Sequence, residues 1–298
     1  MNTEVMPGLH SASQQEIPTK KRFVIVFCLF IGIFIAYLDR VNVSVLAAND
    51  PFLIEMGIKG VPVQIGMMMS VFLAAYGVAN VVLSPLGDYL GPRKSMMFCI
   101  GLWTVSLFMG GIASTFTLII ASRVLLGIGE GVYYPLQSVF VKNWFPKQER
   151  GTASSIFNAA QYFATVIFAP LMGWIVYTFG WQHVFIVMGG IGIVFSLIWL
   201  KVIHSPRQHP MINEAEFNHI AANGAMVDMD QDKGKGKKTD GPKWDYIRQL
   251  LTNRMMLGVY LGQYCINGIT YFFLTWFPVY LVQERGMTIL KAGFIASL

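Results

Sequence analysis

Residues 23–45, with the sequence FVIVFCLFIGIFIAYLDRVNVSV, form one apolar block that carries charge only at Asp39 and Arg40. An apolar helix of roughly 20 residues, at about 1.5 Å per residue, crosses the hydrocarbon core of a bilayer. The whole chain has this character, because 54% of its residues are hydrophobic and 13% are charged. Its mean hydropathy is +0.53. Since about a quarter of a soluble domain is charged, lipid is the expected solvent of this chain.

Apolar blocks of the same kind recur along the chain and predict an all-α membrane protein. Seven complete spans are expected at residues 23–45, 64–86, 95–113, 117–138, 152–178, 183–201 and 255–281. An eighth apolar run begins near Lys291. Because a helix cut inside lipid would leave backbone groups without partners, we expect Leu298 to end a fragment. The predicted organisation is a tail (1–22), a six-helix bundle (23–201), a loop (202–252) and the start of a second bundle (253–298).

The loop 202–252 is the one long polar segment. Asn213, followed by Glu214 and Glu216, predicts the cap and start of a short surface helix. The run from Lys233 to Lys238 contains two glycines and is typical of a flexible, solvated segment. Six spans, a long loop and then further spans are the layout of the major facilitator architecture, which has two six-helix halves.

The basic residues predict how the chain lies in the membrane. One set of connections carries most of them, at Lys20, Lys21, Arg22, Arg93, Lys94, Lys142, Lys147 and Arg150 and in the connection from Lys201 to Arg254. The opposite set carries Lys59, Arg285 and Lys291. The positive-inside rule therefore places the N-terminus and the loop in the cytoplasm, as in a multi-pass protein of the inner (plasma) membrane. The net charge of +6 reflects this bias, so we expect the lipid bilayer, and not nucleic acid, as a partner.

Missing motifs argue against several classes of function. Cys28, Cys99 and Cys265 lie in apolar blocks without disulfide or zinc spacing, so we expect no metal site. The sequence contains no HEXXH, nucleophile-elbow, Walker or paired-metal motif. We therefore expect neither an enzyme nor an ATP-driven pump.

Four charged residues lie in the interior of predicted spans, away from the first and last residues, namely Asp39, Arg40, Arg123 and Glu130. Each costs roughly 2.5–3.5 kcal/mol at the bilayer centre, and such residues usually face a cavity or one another. Arg123 and Glu130 share a helix face, about 10 Å apart along the axis. Asp39 and Arg40 lie about 100° apart around their helix and can address different neighbours. The alternatives are salt bridges that only lock helices together, or snorkelling of Asp39 or Arg40 to the interface.

Together the four charges predict a proton-coupled site for a dianion. They cancel when both acids are ionised, whereas protonation of both leaves two positive charges. Each guanidinium binds a carboxylate through two hydrogen bonds, so two arginines can hold two carboxylates. Burial disfavours the ionised form of a carboxyl group, which suits proton coupling. We expect proton uptake at Asp39 and Glu130 to favour substrate binding and proton loss to favour release.

Uncharged polar residues inside the spans are further candidates. Gln161 and Tyr76 can hydrogen-bond to substrate hydroxyls. Tyr264, Asn267 and Tyr271 fall on one helix face and are expected on the opposite wall of the cavity. Ordinary contacts between helices are the alternative for each of these residues.

The connection after the second span reads Gly87-Asp88-Tyr89-Leu90-Gly91-Pro92-Arg93-Lys94. Its glycines and proline permit a tight reversal. The string resembles the signature loop of the major facilitator superfamily, with Tyr89 where an arginine is usual. The resemblance implies that Gly87, Asp88, Gly91, Arg93 and Lys94 form a cytoplasmic gate latch.

Other stretches resemble the anion:cation symporter family within this superfamily. They are Tyr37–Arg40, the segment from Arg123 to Glu130, and Trp144–Gly151. From Arg150 onward, runs such as SIFNAAQYFATVIFAPLMGW (155–174) and FSLIWLKVIH (195–204) are similar to the D-glucarate/D-galactarate permeases almost residue for residue. Residues 129–135 are less similar to those permeases.

This resemblance implies a secondary active transporter that brings hexarate dicarboxylates, D-glucarate or D-galactarate, into the cell by symport with protons. By position, Asp39 and Glu130 match the family's proton-carrying acids. The positions that match its substrate-binding residues are Tyr37, Arg40, Tyr76, Arg123 and Gln161. No cofactor beyond the coupling proton is implied, and the complete protein is expected to be monomeric. The alternatives are a symporter of a monocarboxylate, such as galactonate or a hexuronate, and a membrane protein that does not transport.

Overall fold

The computed structural model describes residues 18–227 and 244–296, and all regular structure in these ranges is helical. Most of the predicted tail and the basic run 233–238 lie outside the described residues. The helices are α1 Lys21–Ala47, α2 Asp50–Glu55, α3 Pro62–Val82, α4 Leu86–Leu90, α5 Pro92–Gly111, α6 Phe116–Gly131, α7 Tyr133–Trp144, α8 Arg150–Phe179, α9 Trp181–Val202, α10 Glu214–Ala222, α11 Trp244–Thr252, α12 Arg254–Gln283 and α13 Ile289–Ala296. A short 3-10 helix, Pro206–Gln208, lies between α9 and α10.

Six helical stretches are long and apolar enough to cross a membrane, namely α1, α3, α5, α6 with α7, α9 and α12. Helix α8 is a seventh when its two parts, Arg150–Phe168 and Pro170–Phe179, are counted as one span bent by 43°. A proline inside a helix lacks a backbone donor and clashes with the preceding turn, which accounts for the bend. These helices confirm the prediction of an all-α membrane protein.

The fourth predicted span differs most from the observed helices. Residues 117–138 were expected as one helix, whereas α6 and α7 together extend from Phe116 to Trp144 and break at Val132. The break follows Glu130 and Gly131, where α6 lies against α3. The sequence pattern misses it because the residues on both sides are apolar and give no signal for a boundary.

Glycines bring α6 close to both of its neighbours. A Cβ atom at Gly127 would lie 2.5 Å from the Phe72 carbonyl oxygen of α3. One at Gly129 would lie 3.0 Å from the Trp103 backbone nitrogen of α5. Small residues allow membrane helices to approach this closely. Helix α6 is therefore held tightly between α3 and α5, and this packing fixes the position of Glu130.

The predicted helix in the loop is present as α10. Asn213 caps it, because its side-chain oxygen accepts a hydrogen bond from Glu216 N at 3.0 Å. Glu216 is fully buried, and its carboxylate accepts the backbone N–H groups of Lys21 and Arg22 at 3.0 and 3.1 Å. Arg22 also forms an ion pair with Glu149 at 2.9 Å. The loop helix is thus attached to the first turn of α1 and to the α7–α8 connection.

Candidate functional site

A cavity of about 1830 Å³ lies between α1, α3, α7 and α8 on one side and α12 and α13 on the other. Small-molecule sites usually measure about 300–1,000 Å³, so a sugar-sized ligand would occupy part of this space. Among the described residues that line it, the charged ones are Arg40 and Glu130. The other polar lining groups are mainly tyrosines and amides, so the cavity suits a hydroxylated anion.

Arg40 is fixed at the cavity wall by contacts to the helix backbone and to a carboxylate. Its Nη2 atom lies 3.1 Å from Glu130 Oε2, and its Nη1 atom donates to the Ala36 carbonyl at 3.2 Å. Three rings surround the guanidinium carbon at 4.4, 5.4 and 5.7 Å, those of Tyr37, Phe72 and Tyr76 respectively. Cation–π contacts of this kind stabilise the charge and orient the planar guanidinium.

Glu130 forms an ion pair with Arg40 but accepts no hydrogen bond with good geometry. The contact to Arg40 satisfies the distance of an ion pair, yet neither Glu130 oxygen accepts a hydrogen bond from the described residues. Buried polar atoms usually have such a partner. The ion pair between Arg40 and Glu130 is therefore weakly held, so an anionic ligand can compete for Arg40 and a proton can compete for Glu130. Arg40 Nε also has no partner among the described residues.

Asp39 and Arg123 lie behind the cavity wall. Asp39 is fully buried, and its Oδ2 atom accepts a hydrogen bond from Trp103 Nε1 at 2.8 Å, while Oδ1 has no partner among the described residues. The Arg123 guanidinium lies 5.5 Å from the Phe185 ring, and Asp39 and Glu130 are the acids whose charges act on it. Neither Asp39 nor Arg123 lines the cavity.

The four charges therefore lie in two layers and do not all line the cavity, and their roles in binding and coupling remain predictions. Arg40 and Glu130 line the cavity, and Asp39 and Arg123 form a second, inner layer. The cause on α1 is the rotation of about 100° between consecutive residues. Arg40 points towards the cavity, so Asp39 points towards α5, where Trp103 meets it.

The uncharged candidates are brought together. Tyr37, Tyr76, Gln161 and Tyr271 all line the cavity, as do Tyr264 and Asn267 on the α12 wall. Sequence reasoning did not single out Trp103. The available signal was a tryptophan inside an apolar span, because a buried indole N–H generally needs an acceptor.

Helices α1 and α12 are joined beside the cavity. The Ser44 hydroxyl donates to the Leu274 carbonyl, and Tyr271 lies one turn earlier on the same wall. On the α8 side, the Tyr134 hydroxyl donates to Asn158 Oδ1. These hydrogen bonds hold polar groups from four helices, α1, α7, α8 and α12, beside the cavity that Arg40 lines.

The residues of the predicted gate loop occupy α4 and the start of α5. Gly91 adopts φ +83°, a backbone conformation that suits glycine, between the two helices. Arg93 Nη2 donates to the Leu200 carbonyl at the end of α9 at 2.7 Å. Gly87 is buried so closely against α7 that a Cβ atom would lie 2.5 Å from Leu136 Cδ2. Lys94 is exposed. The side chain of Asp88 is not among those that the structure describes. The function of these residues as a gate latch remains a prediction.

The fold agrees with solved structures of membrane transporters. A bacterial homologue of the human lysosomal transporter Spinster has a TM-score of 0.71 at 15% identity, with 93% of this chain and 59% of that chain covered. A D-xylose-proton symporter has a TM-score of 0.60 at 15% identity, with 92% and 65% covered. At this identity the likeness shows the fold alone.

The sequence matches the Major Facilitator Superfamily over residues 29–298, so the chain belongs to that superfamily. It is 49% identical to a "Probable galactarate/D-glucarate transporter" of Escherichia coli (strain K12), over 97% of this chain and 64% of that protein. The namesake in Bacillus subtilis (strain 168) is 46% identical over 94% and 62%. A D-galactonate transporter of E. coli O6:H1 is 35% identical over 94% and 64%. The chain thus spans somewhat less than two thirds of the length of these relatives.

Proposed function

We propose that this chain is part of a secondary active transporter that carries D-glucarate and D-galactarate into the cell by symport with protons. The proposal places it in the inner membrane, with the N-terminus and the loop in the cytoplasm. The observation that carries it is the 49% identity, over nearly the whole chain, to a protein named as a galactarate/D-glucarate transporter. The cavity with Arg40 supports an anionic, hydroxylated substrate.

In the proposed mechanism, Arg40 binds a substrate carboxylate. Protonation of Glu130 removes the negative charge 3.1 Å from the guanidinium, which frees Arg40 to form a two-bond fork with the substrate. The hydroxyl groups of Tyr37 and Tyr76 and the amide of Gln161 then face the substrate hydroxyls. Loss of the proton restores the Glu130 charge and displaces the anion.

Asp39 is proposed as the second proton-carrying acid, acting from the inner layer. It is adjacent in sequence to Arg40, and Arg123 is on the same helix as Glu130. Both arginines act electrostatically on Asp39, so a change in its charge acts on both of them in this poorly screened interior. Arg123 would then balance the inner charge and would not touch the substrate.

A monocarboxylate substrate is a second candidate, favoured by the cavity itself. Arg40 is the one cation among its described lining residues, and one guanidinium binds one carboxylate. The similarity to a protein named as a D-galactonate transporter points the same way. For a dicarboxylate, the second carboxylate would rely on uncharged donors such as Tyr271 on the opposite wall.

Uptake of labelled D-glucarate separates these functions in cells that express the gene carrying this chain and lack other hexarate carriers. We expect accumulation that a protonophore abolishes and that unlabelled D-galactarate competes away. Stronger competition by D-galactonate would favour the monocarboxylate function. The Asp39→Asn variant should lose uphill accumulation but keep some substrate exchange. Unchanged accumulation in that variant would remove Asp39 from the coupling mechanism, and no uptake by the parent protein would refute the transport proposal.

A further inference from the structure

The inner acid, Asp39, is held directly by an uncharged residue on α5. Its hydrogen bond comes from Trp103 Nε1 at 2.8 Å. Arg123 is the cation that acts on Asp39 most strongly, but its Nε and Nη2 atoms have no hydrogen-bond partner among the described residues. We propose that Trp103 is a positioning residue for Asp39 that selects the oxygen to be protonated and sets the pH at which the proton is released. This inference rests on the proposed proton coupling.

The chemistry of the indole determines which oxygen takes the proton. Tryptophan has one N–H donor and no acceptor, so it can only donate to the carboxylate. With Oδ2 occupied by that donor, Oδ1 accepts no hydrogen bond from the described residues. The Asn42 amide on α1 also acts on Asp39 but is not within hydrogen-bond geometry of Oδ1. A proton therefore binds at Oδ1 and leaves from the same atom. The indole N–H of Trp103 keeps its own proton and its hydrogen bond to Oδ2 throughout.

The indole cannot easily turn away from Asp39. Helix α6 presses on the Trp103 backbone, because a Cβ atom at Gly129 would lie 3.0 Å from Trp103 N. The Tyr133 ring packs edge-on against the indole, with centroids 6.5 Å apart and an interplanar angle of 80°. Trp103 itself is 1% exposed. Since Gly129 precedes Glu130, the same helix crossing fixes both acids.

The charges that face Asp39 remain when the indole is changed. They are Arg40 on α1 and Arg123 and Glu130 on α6. A donor to a carboxylate favours its ionised form. Removal of that donor alone should therefore make Asp39 keep its proton to higher pH. Hydrogen bonds to charged groups are strong enough to move such a titration by about one pH unit.

The matched pair Trp103→Phe and Trp199→Phe tests this directly. Trp199 is an equally buried tryptophan, but its indole N–H has no partner among the described residues. We expect Trp103→Phe to raise the pH midpoint of proton-driven uptake by about one unit and Trp199→Phe to leave it unchanged. Equal midpoints in the two variants would overturn the proposal.

A second measurement tests the proposal even if the Trp103→Phe variant fails to fold or to transport. Incorporation of the benzothienyl analogue of tryptophan at position 103 keeps the ring shape and removes only the N–H. In the purified protein, the infrared C=O band of protonated Asp39, identified by its loss in Asp39→Asn, can be titrated without substrate. The same upward shift supports the positioning of Asp39 even if no uptake is found, in which case the proposed function alone fails. An unshifted band with the analogue refutes the inference even if uptake is normal.

Discussion

The attachment of the loop helix α10 to the bundle depends on the buried carboxylate of Glu216. The substitution Glu216→Gln tests how strongly this carboxylate stabilises the attachment. Glu216 accepts the N–H groups of Lys21 and Arg22 and the Thr19 hydroxyl, and it lies 3.3 Å from Arg22 Nη1. Glutamine keeps one acceptor oxygen but loses the charge. Hydrogen bonds to charged groups contribute about 1.5–3 kcal/mol each, so we expect a loss of about 2 kcal/mol of local stability.

Amide hydrogen exchange measures this loss where it should occur. A loss of about 2 kcal/mol corresponds to roughly 30-fold faster exchange through local opening. We expect this acceleration in α10 and in the first turn of α1, with little change in α5 and α6. The control is Glu214→Gln, because Glu214 is an exposed acid in the same first turn and contributes the same helix-dipole interaction. Exchange that is no faster in Glu216→Gln than in Glu214→Gln would refute the reasoning.

Three further predictions concern the cavity, the packing of α6 and the loop after α9. Arg40→Lys keeps the charge but loses the two-bond fork, so the KM for D-glucarate should rise at least about tenfold; an unchanged KM would exclude Arg40 as the carboxylate ligand. Gly127→Ala should lower the melting temperature, because its Cβ would lie 2.5 Å from a backbone oxygen, whereas Gly190→Ala should not, since nothing lies within 4 Å. Burial lowers the pKa of His209 below its usual value, so the unfolded chain binds a proton at this residue more readily than the folded protein does. The melting temperature should therefore fall as the pH is lowered below about 6.5. The fall should be smaller in His209→Phe.

Several structural features follow from local properties of the sequence. The apolar block 23–45 predicts α1, observed as Lys21–Ala47, because the length of a span depends only on the thickness of the bilayer. The cap at Asn213 is confirmed for a similar reason, since it involves only Asn213 and Glu216, three residues apart.

The candidate site was predictable in its composition but not in its arrangement. The presence of Arg40 and Glu130 in apolar spans marks them as unusual, and both line the cavity. Helical periodicity also states that Asp39 and Arg40 point in different directions. It does not predict which of the two faces the cavity, because that depends on where α8 packs against α1 and where α5 places Trp103 beside Asp39.

The amino-acid sequence by itself determined that this chain crosses a membrane repeatedly and carries two acids and two arginines in its spans, because hydropathy and charge are properties of short stretches. Only the tertiary structure decided that Arg40 pairs with Glu130 at the cavity and that Trp103 holds Asp39 behind it. Each of these contacts joins residues from different helices, more than 60 positions apart in the second case. Their formation depends on the close crossings of α6 with α3 and α5, which no single helix encodes.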